Sequence, residues 1–287
     1  INIMDDFGFI IPSYCSSKIH LLQLKRCLES IKKFHPKKQV VVIDDYSDVN
    51  LPESLKAYEN IKIIISPIKS AGDMVTYKVF KDNPLFKKAI IIQDSMVLEK
   101  PLVEIENIKS ISYIWYFTNH RLHWHKIKEP QTEYNKANGI RVHDDAVIDA
   151  INRFVIKEEF KKYALDMFMK KDKWSGCFGC LSIVDYDFID VLNGKTGIVD
   201  LLTKMNDNRL RRVAESLFAI SCLYVLGEEV FEKAYDGLYY DGINPARNTC
   251  KIRGNEIGFP NNIIINQVCK NDYISKVSFD RRPIKTN

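Results

Sequence analysis

The chain has 287 residues, 46% of them hydrophobic and 28% charged, with a formal net charge of +5. That balance belongs to a soluble globular protein with enough chain for one large α/β domain or two small ones. Its 42 basic residues are scattered rather than blocked, which argues against a nucleic-acid partner and leaves room for an anionic substrate.

No apolar run approaches the roughly 20 residues that a membrane span needs, and no signal peptide is visible. The seven cysteines are odd in number and mostly sit in apolar runs, as Cys27 and Cys222 do. Reduced core thiols and a cytoplasmic location are therefore expected. With only 12 glycines, the chain shows no flexible linker, repeat or low-complexity tract.

Phe7 to Ile11 reads as a first strand, stopped by Pro12-Ser13-Tyr14. Ser16 or Ser17 can cap the next helix, whose apolar positions Leu21, Leu24, Leu28, Ile31 and Phe34 recur at helical spacing. Pro36 closes it. Gln39 to Ile43 is a second strand whose apolar run suits burial on both faces, as in a parallel sheet. It runs straight into Asp44-Asp45-Tyr46-Ser47-Asp48. A short helix over 51–58 and a strand over 61–65 follow, then a helix over 73–81. Ala89 to Gln93 is a fourth strand, again ending in an acid, Asp94. This alternation predicts an α/β fold with a mostly parallel central sheet flanked by helices. Right-handed crossovers would bring the ends of strands one, two and four to one crevice, where open α/β sheets bind ligands. Acids there can accept hydrogen bonds from a nucleoside's ring N–H or ribose hydroxyls; the alternative for Asp44 and Asp45 is a solvated turn.

Beyond residue 100 the pattern loosens. Residues 113–117 read as an aromatic strand and 118–142 as an irregular loop. A helical period over 146–168 breaks near Lys157. A Gly-rich turn, Trp174 to Gly179, leads into a short strand over 180–184. Residues 210–226 form a helix ended by Gly227. The last sixty residues read as surface-wrapping coil.

Phe9-Ile10-Ile11-Pro12-Ser13-Tyr14, then Leu28-Glu29-Ser30-Ile31, then Val41 to Asp48 resemble the opening of nucleotide-sugar glycosyltransferases of the GT-A fold, family-2-like. Ala89 to Val97 resembles the strand that ends in that fold's Asp-x-Asp metal motif. The resemblance covers about the first hundred residues well and the rest in outline. It implies one GT-A-like domain over 1–287. Residues 1–100 would form the nucleotide-sugar-binding half, and 101–287 a mixed acceptor-side half with a C-terminal extension. Pro12, Ser13 and Tyr14 would line the base pocket, and Asp44 or Asp45 would bond base or ribose. Lys69, Ala71 and Gly72 would wrap the nucleotide, with Lys69 facing the diphosphate or simply solvated. The implied chemistry breaks a sugar–phosphate bond, so a cation such as Mg²⁺ or Mn²⁺ on Asp94 would neutralise the departing diphosphate. The family's second acid falls at Met96 here, so Gln93-Asp94-Ser95-Met96 supplies one carboxylate. Mg²⁺ often binds through one or two carboxylates plus phosphates; a metal-free variant using basic or hydroxyl groups is the alternative. Asp94 and Ser95, with Trp174 and Gly176 of the Gly-rich turn, would border the donor and acceptor sugars. Trp174 either stacks on a sugar or is a buried aromatic at a strand entry. Glu215 falls where the family carries the general base for the acceptor hydroxyl. It either serves so or pairs with Arg211 one helical turn away. Asp144 and Asp145 compete for that role, or cap the following helix.

His120, His123 and His125 cluster, without the paired context of a zinc site. Gly194-Lys195-Thr196 lacks the first glycine of a phosphate loop, and Cys177 and Cys180 lack a partner pair for zinc. No dinucleotide Gly-x-Gly-x-x-Gly occurs. The expected function is sugar transfer from a nucleotide sugar, most simply a UDP-sugar, to a glycan, glycolipid or protein hydroxyl. The alternatives are a nucleotidyltransferase and a non-catalytic carbohydrate-binding module on a decayed transferase scaffold.

Overall fold

The computed structural model describes residues 5–114, 116–118, 143–170, 173–205, 208–227, 252–253, 264–270 and 274–279. The centre is a six-stranded sheet in the order β3-β2-β1-β4-β9-β6. Its first four strands are β1 (Asp5–Ser13), β2 (Val40–Asp44), β3 (Ile61–Ile65) and β4 (Phe86–Ile91). All pairings among these four are parallel. A three-residue strand, β5 (Met96–Leu98), follows β4 and belongs to another sheet. β6 (Ile111–Tyr113) and β9 (Ser182–Asp185) close the far edge antiparallel. The mostly parallel α/β sheet expected from the alternating pattern is thus observed.

Every residue of β2 is buried, because helices cover both faces of the sheet. Val41 and Ile43 join Ile10, Ala89 and Ile91 in one core. Val40 and Val42 join Phe9, Ile11 and Ile90 in the other. Such strands read as continuous apolar runs because both faces bury alternate side chains. Helix α1 (Lys18–Phe34) buries Leu24, Cys27, Leu28 and Ile31 on the second face. Ser17 caps it, its hydroxyl accepting the His20 backbone N–H. The short α2 (Leu51–Leu55) lies on the same face through Leu51 and Leu55. On the first face lie α3 (Thr76–Asp82), α4 (His143–Phe154), α5 (Glu158–Met169), α6 (Tyr186–Thr196), α7 (Ile198–Leu202) and α8 (Asn208–Leu226). The break between α4 and α5 falls at residues 155–157, as the period implies. Gly227, at φ 77, ends α8. Among the described residues no helix is long and apolar enough to cross a membrane.

Gly8 marks the tightest point between β1 and β4. A Cβ there would stand 2.6 Å from Cζ of Phe86. Phe86 is fully buried and stacks on Phe80 at 6.3 Å, so the ring has nowhere to go. Gly8→Ala should therefore destabilise by about 1–3 kcal/mol through overpacking. A lower urea midpoint at an unchanged m-value is the expected reading.

Three expectations are corrected. The aromatic stretch 113–117 is split: β6 stays in the central sheet while β7 (Tyr116–Thr118) pairs with β8 (Ser175–Cys177). The strand expected from Cys180 starts at Ser182, because Gly179 (φ 58) and Cys180 (φ 55) take left-handed backbone that an extended strand excludes. The final sixty residues, read as coil, contribute β10 (Ile252–Arg253), β11 (Ile264–Lys270) and β12 (Ile274–Phe279). These form an antiparallel sheet closed by β5, with Ile274 opposite Leu98. Asn, Gly and Pro between the strands hid their short β-branched runs. Residues 119–142, with the His120, His123 and His125 cluster, lie outside the described residues.

Candidate functional site

The crevice opens where β1 and β4 separate. Pairing of β1 with β2 runs to Ser13↔Asp44, whereas pairing with β4 stops at Ile10↔Ile91. Ile92 donates to Ile10 O at 3.2 Å, so residue 10 turns its polar groups to β4, and residue 12 must do the same. Residue 12 is Pro12, which has no N–H to offer, and the ladder ends there.

Ser13 sits at the hub. Its hydroxyl donates to Asp94 Oδ2 at 2.9 Å, and its carbonyl accepts the Asp45 N–H at 2.9 Å. The ends of three adjacent parallel strands are thus joined, which is the convergence the crossover argument anticipates. Cys15 lies 3.5 Å from the Ser13 hydroxyl through Sγ. Burial, against the help of that contact, pushes its thiol up to about 11. It is a protonated packing group, although it sits in a polar turn rather than an apolar run. Cys27, Cys177, Cys180 and Cys222 are likewise free and buried.

Asp44 and Asp45 are only 6% and 8% exposed, so neither is a solvated turn residue. Asp44 Oδ1 accepts the Ser47 N–H at 2.9 Å, which fixes the turn past β2. Asp45 reaches further: its Oδ1 accepts from Ser70 N at 2.6 Å and its Oδ2 from Gly72 N at 3.1 Å. The loop after β3 is therefore pinned to the exit of β2, and Asp45 has a scaffold role that sequence reading does not supply. Tyr14 is exposed, and its hydroxyl donates to Asp48 Oδ2 at 3.1 Å. Accepting that proton, Asp48 raises the Tyr14 pKa. Lys69 is exposed, its Nζ 5.6 Å from the centroid of the Tyr46 ring.

On the other side of Asp94 the structure joins four elements. Gln93 Nε2 donates to Asp73 Oδ2 at 2.6 Å, and the Gly179 N–H donates to Glu215 Oε1 at 2.8 Å. A side chain at Gly179, whose φ is 58, would meet Gln93 Nε2 at 2.9 Å. The Gly179 turn thus stands between Glu215 of α8 and Gln93, the residue that precedes Asp94. Asp73 and Gln93 are members of this cluster that sequence reasoning missed. Asp73 reads as an ordinary first-turn acid of a helix, and its one signal is the Ser70-Ala71-Gly72 turn before it.

Some expected members stand apart. Trp174 is 4% exposed and packs its ring 5.9 Å from Phe168, so it takes the buried-aromatic alternative and offers no face to a sugar. Gly176 is buried in β8, opposite Phe117 of β7. Asp144 and Asp145 lie in the first turn of α4 rather than ahead of it. Ser95 is buried in the turn between Asp94 and β5. Met96, at the position of the family's second acid, is 1% exposed in the core under α1.

Among the described residues no group of three His, Cys, Asp or Glu side chains could cage a metal ion. Asp94, with the Ser13 hydroxyl beside it, does fit an oxygen-seeking cation that takes the rest of its shell from phosphates and water.

Residues 9–72 match the family model described as "Glycosyl transferase family 2". Three solved structures with likeness to the chain are of S. aureus TarS. One of TarS 1–349 is 19% identical, over 39% of this chain and 36% of that one, with a TM-score of 0.31. TarS 1–349 in complex with UDP gives 19%, 39%, 36% and 0.30. TarS 1–349 in complex with UDP-GlcNAc gives 19%, 39%, 34% and 0.30. The chain thus spans about a third of the length of those structures. No curated protein matches it. The match over 9–72 begins in β1, runs through β2 and β3, and ends on the loop that Asp45 holds. Over those residues the chain is similar to family 2 glycosyl transferases, and its strand order is that of a GT-A-like α/β fold.

Proposed function

We propose that the protein transfers a sugar from a nucleotide-sugar donor to a hydroxyl of a glycan, glycolipid or protein, in glycan biosynthesis. The observation that carries this reading is the Ser13–Asp94 bond, which unites the exits of β1 and β4 beside Asp44 and Asp45. The donor is a UDP-sugar, the usual donor class of the resembled group. In this reading Pro12, Ser13, Asp44 and the loop of Lys69 and Gly72 hold the nucleoside. Asp94 faces the diphosphate and the donor sugar.

Asp94 is the residue that would hold Mn²⁺ or Mg²⁺. When bound, that ion supplies positive charge against the diphosphate as it departs. Glu215 is the proposed acceptor of the proton from the attacking hydroxyl. Its support is orientation: the Gly179 N–H fixes one carboxylate oxygen at 2.8 Å. Asp145 is the competing base.

A second reading, donor binding without turnover, is favoured by one observation, the buried Met96 in place of a second acid. Thermal denaturation against nucleoside diphosphates and nucleotide sugars, with and without Mn²⁺, tests the donor site. A ligand at 100 times its Kd adds about 2.7 kcal/mol of stability. Stabilisation by UDP, enhanced by Mn²⁺, is expected. Stabilisation by no nucleotide would overturn the reading, and stabilisation without UDP release from any UDP-sugar and acceptor would favour the second.

A further inference from the structure

Tyr46 follows Asp45 and takes φ 61, in the left-handed region. Glycine would hold that conformation without strain, and a bulky aromatic residue is an outlier there. Strain of this kind persists where the surroundings over-determine it, and it concentrates at ligand sites. The surroundings here do over-determine it. The residue before Tyr46 is locked by Ser70 and Gly72, and the residue after it by the Asp44 carboxylate. Ser47 Oγ accepts the Cys15 N–H at 2.8 Å, tying the turn to the exit of β1 as well. Despite this packing Tyr46 is 47% exposed, and the Lys69 ammonium stands over its ring, 5.6 Å from the centroid. A rigid frame thus carries a half-exposed aromatic side chain just past the exit of β2, at a conformational cost that a glycine would avoid.

We propose that Tyr46 is the stacking face for the nucleobase of the donor, with the Lys69 cation holding the ring in place. The inference rests on the donor-site reading above. It adds a residue that neither the family match nor the motif singles out. A base–aromatic stack depends on the π-face that every base has, so this contact fixes the position of the base and leaves its choice to acceptors such as Asp44.

Calorimetric titration of UDP and of inorganic pyrophosphate, each with Mg²⁺, into wild type, Tyr46→Gly and Tyr46→Phe tests the assignment, alongside melting without ligand. Tyr46→Gly relieves the left-handed strain, so its ligand-free Tm should hold or rise. Its UDP affinity should nevertheless fall at least about fivefold, the lower end of what one base–aromatic stack contributes, while pyrophosphate affinity stays put. Tyr46→Phe should keep the wild-type UDP affinity. Stability and affinity moving in opposite directions is what a mere turn residue would not give. Unchanged UDP affinity in Tyr46→Gly, or equal weakening of UDP and pyrophosphate, would overturn the stacking role and leave the donor site standing. Wild type that binds no nucleotide would remove both.

Discussion

Asp94→Asn should cut sugar transfer by roughly 100-fold or more, the effect of removing one preorganised charge-stabilising group from a reacting centre. The substitution keeps the shape of the side chain. Its amide oxygen can still accept the Ser13 hydroxyl, which donates to Asp94 Oδ2 at 2.9 Å, so the ends of β1 and β4 stay joined. What disappears is the negative charge that would hold a cation against the diphosphate, and the buried Met96 cannot supply it. The assay is release of nucleoside diphosphate from the donor that stabilises wild type, with melting as the control for folding. An Asn variant that melts like wild type and turns over at the wild-type rate would remove Asp94 from the mechanism.

Asp45→Ala should produce the largest loss of stability among the site residues, roughly 3 kcal/mol, or a fall in Tm on the order of 6 °C for a chain of this size. Its carboxylate is nearly buried and accepts two backbone N–H groups, from Ser70 and Gly72. Both donors lose a charged partner at once, and hydrogen bonds to charged groups contribute about 1.5–3 kcal/mol each. The loop carrying Lys69 would come free of β2, so nucleotide affinity should fall together with Tm. Asp48 offers a contrast: it is exposed, with the Tyr14 hydroxyl as its side-chain partner. An Asp45→Ala protein that melts like wild type would mean that the loop is held by other contacts.

The first hundred residues of the fold were legible because their signals are local. Four β-branched residues, Val40 to Ile43, announce a strand buried on both faces before Asp44, and the leucines of α1 fall at helical spacing. Pro12 ends the β1–β4 ladder by a property of one residue. The rest was less legible because its strand partners are distant in sequence. Whether Tyr113 and Phe117 share a strand depends on β9 and β8, some seventy residues later. β5 finds its partner in β12, and no local pattern around Met96 foretells Ile274. At the site, the position of Asp94 could be read, since an acid after a buried strand has one place to go. The role of Asp45 could not, because its partners lie 25 and 27 residues away. The same holds for the Asp73–Gln93 bond and for Glu215, which depend on how α8 packs behind the Gly179 turn. Trp174 shows the converse: its residue type allowed either a sugar-stacking or a core role, and burial by Phe168 and its neighbours places it in the core.

The exits of β1, β2 and β4 form the proposed nucleotide site. Hydrogen–deuterium exchange of the intact chain with and without UDP and Mn²⁺ tests it most directly. The expected result is new protection at the amides of 13–15, 44–48, 66–72 and 93–95, with the amides of α4 to α7 unchanged. Nucleotide-dependent protection that skips those four segments, or appears mainly on α4 to α7, would contradict it.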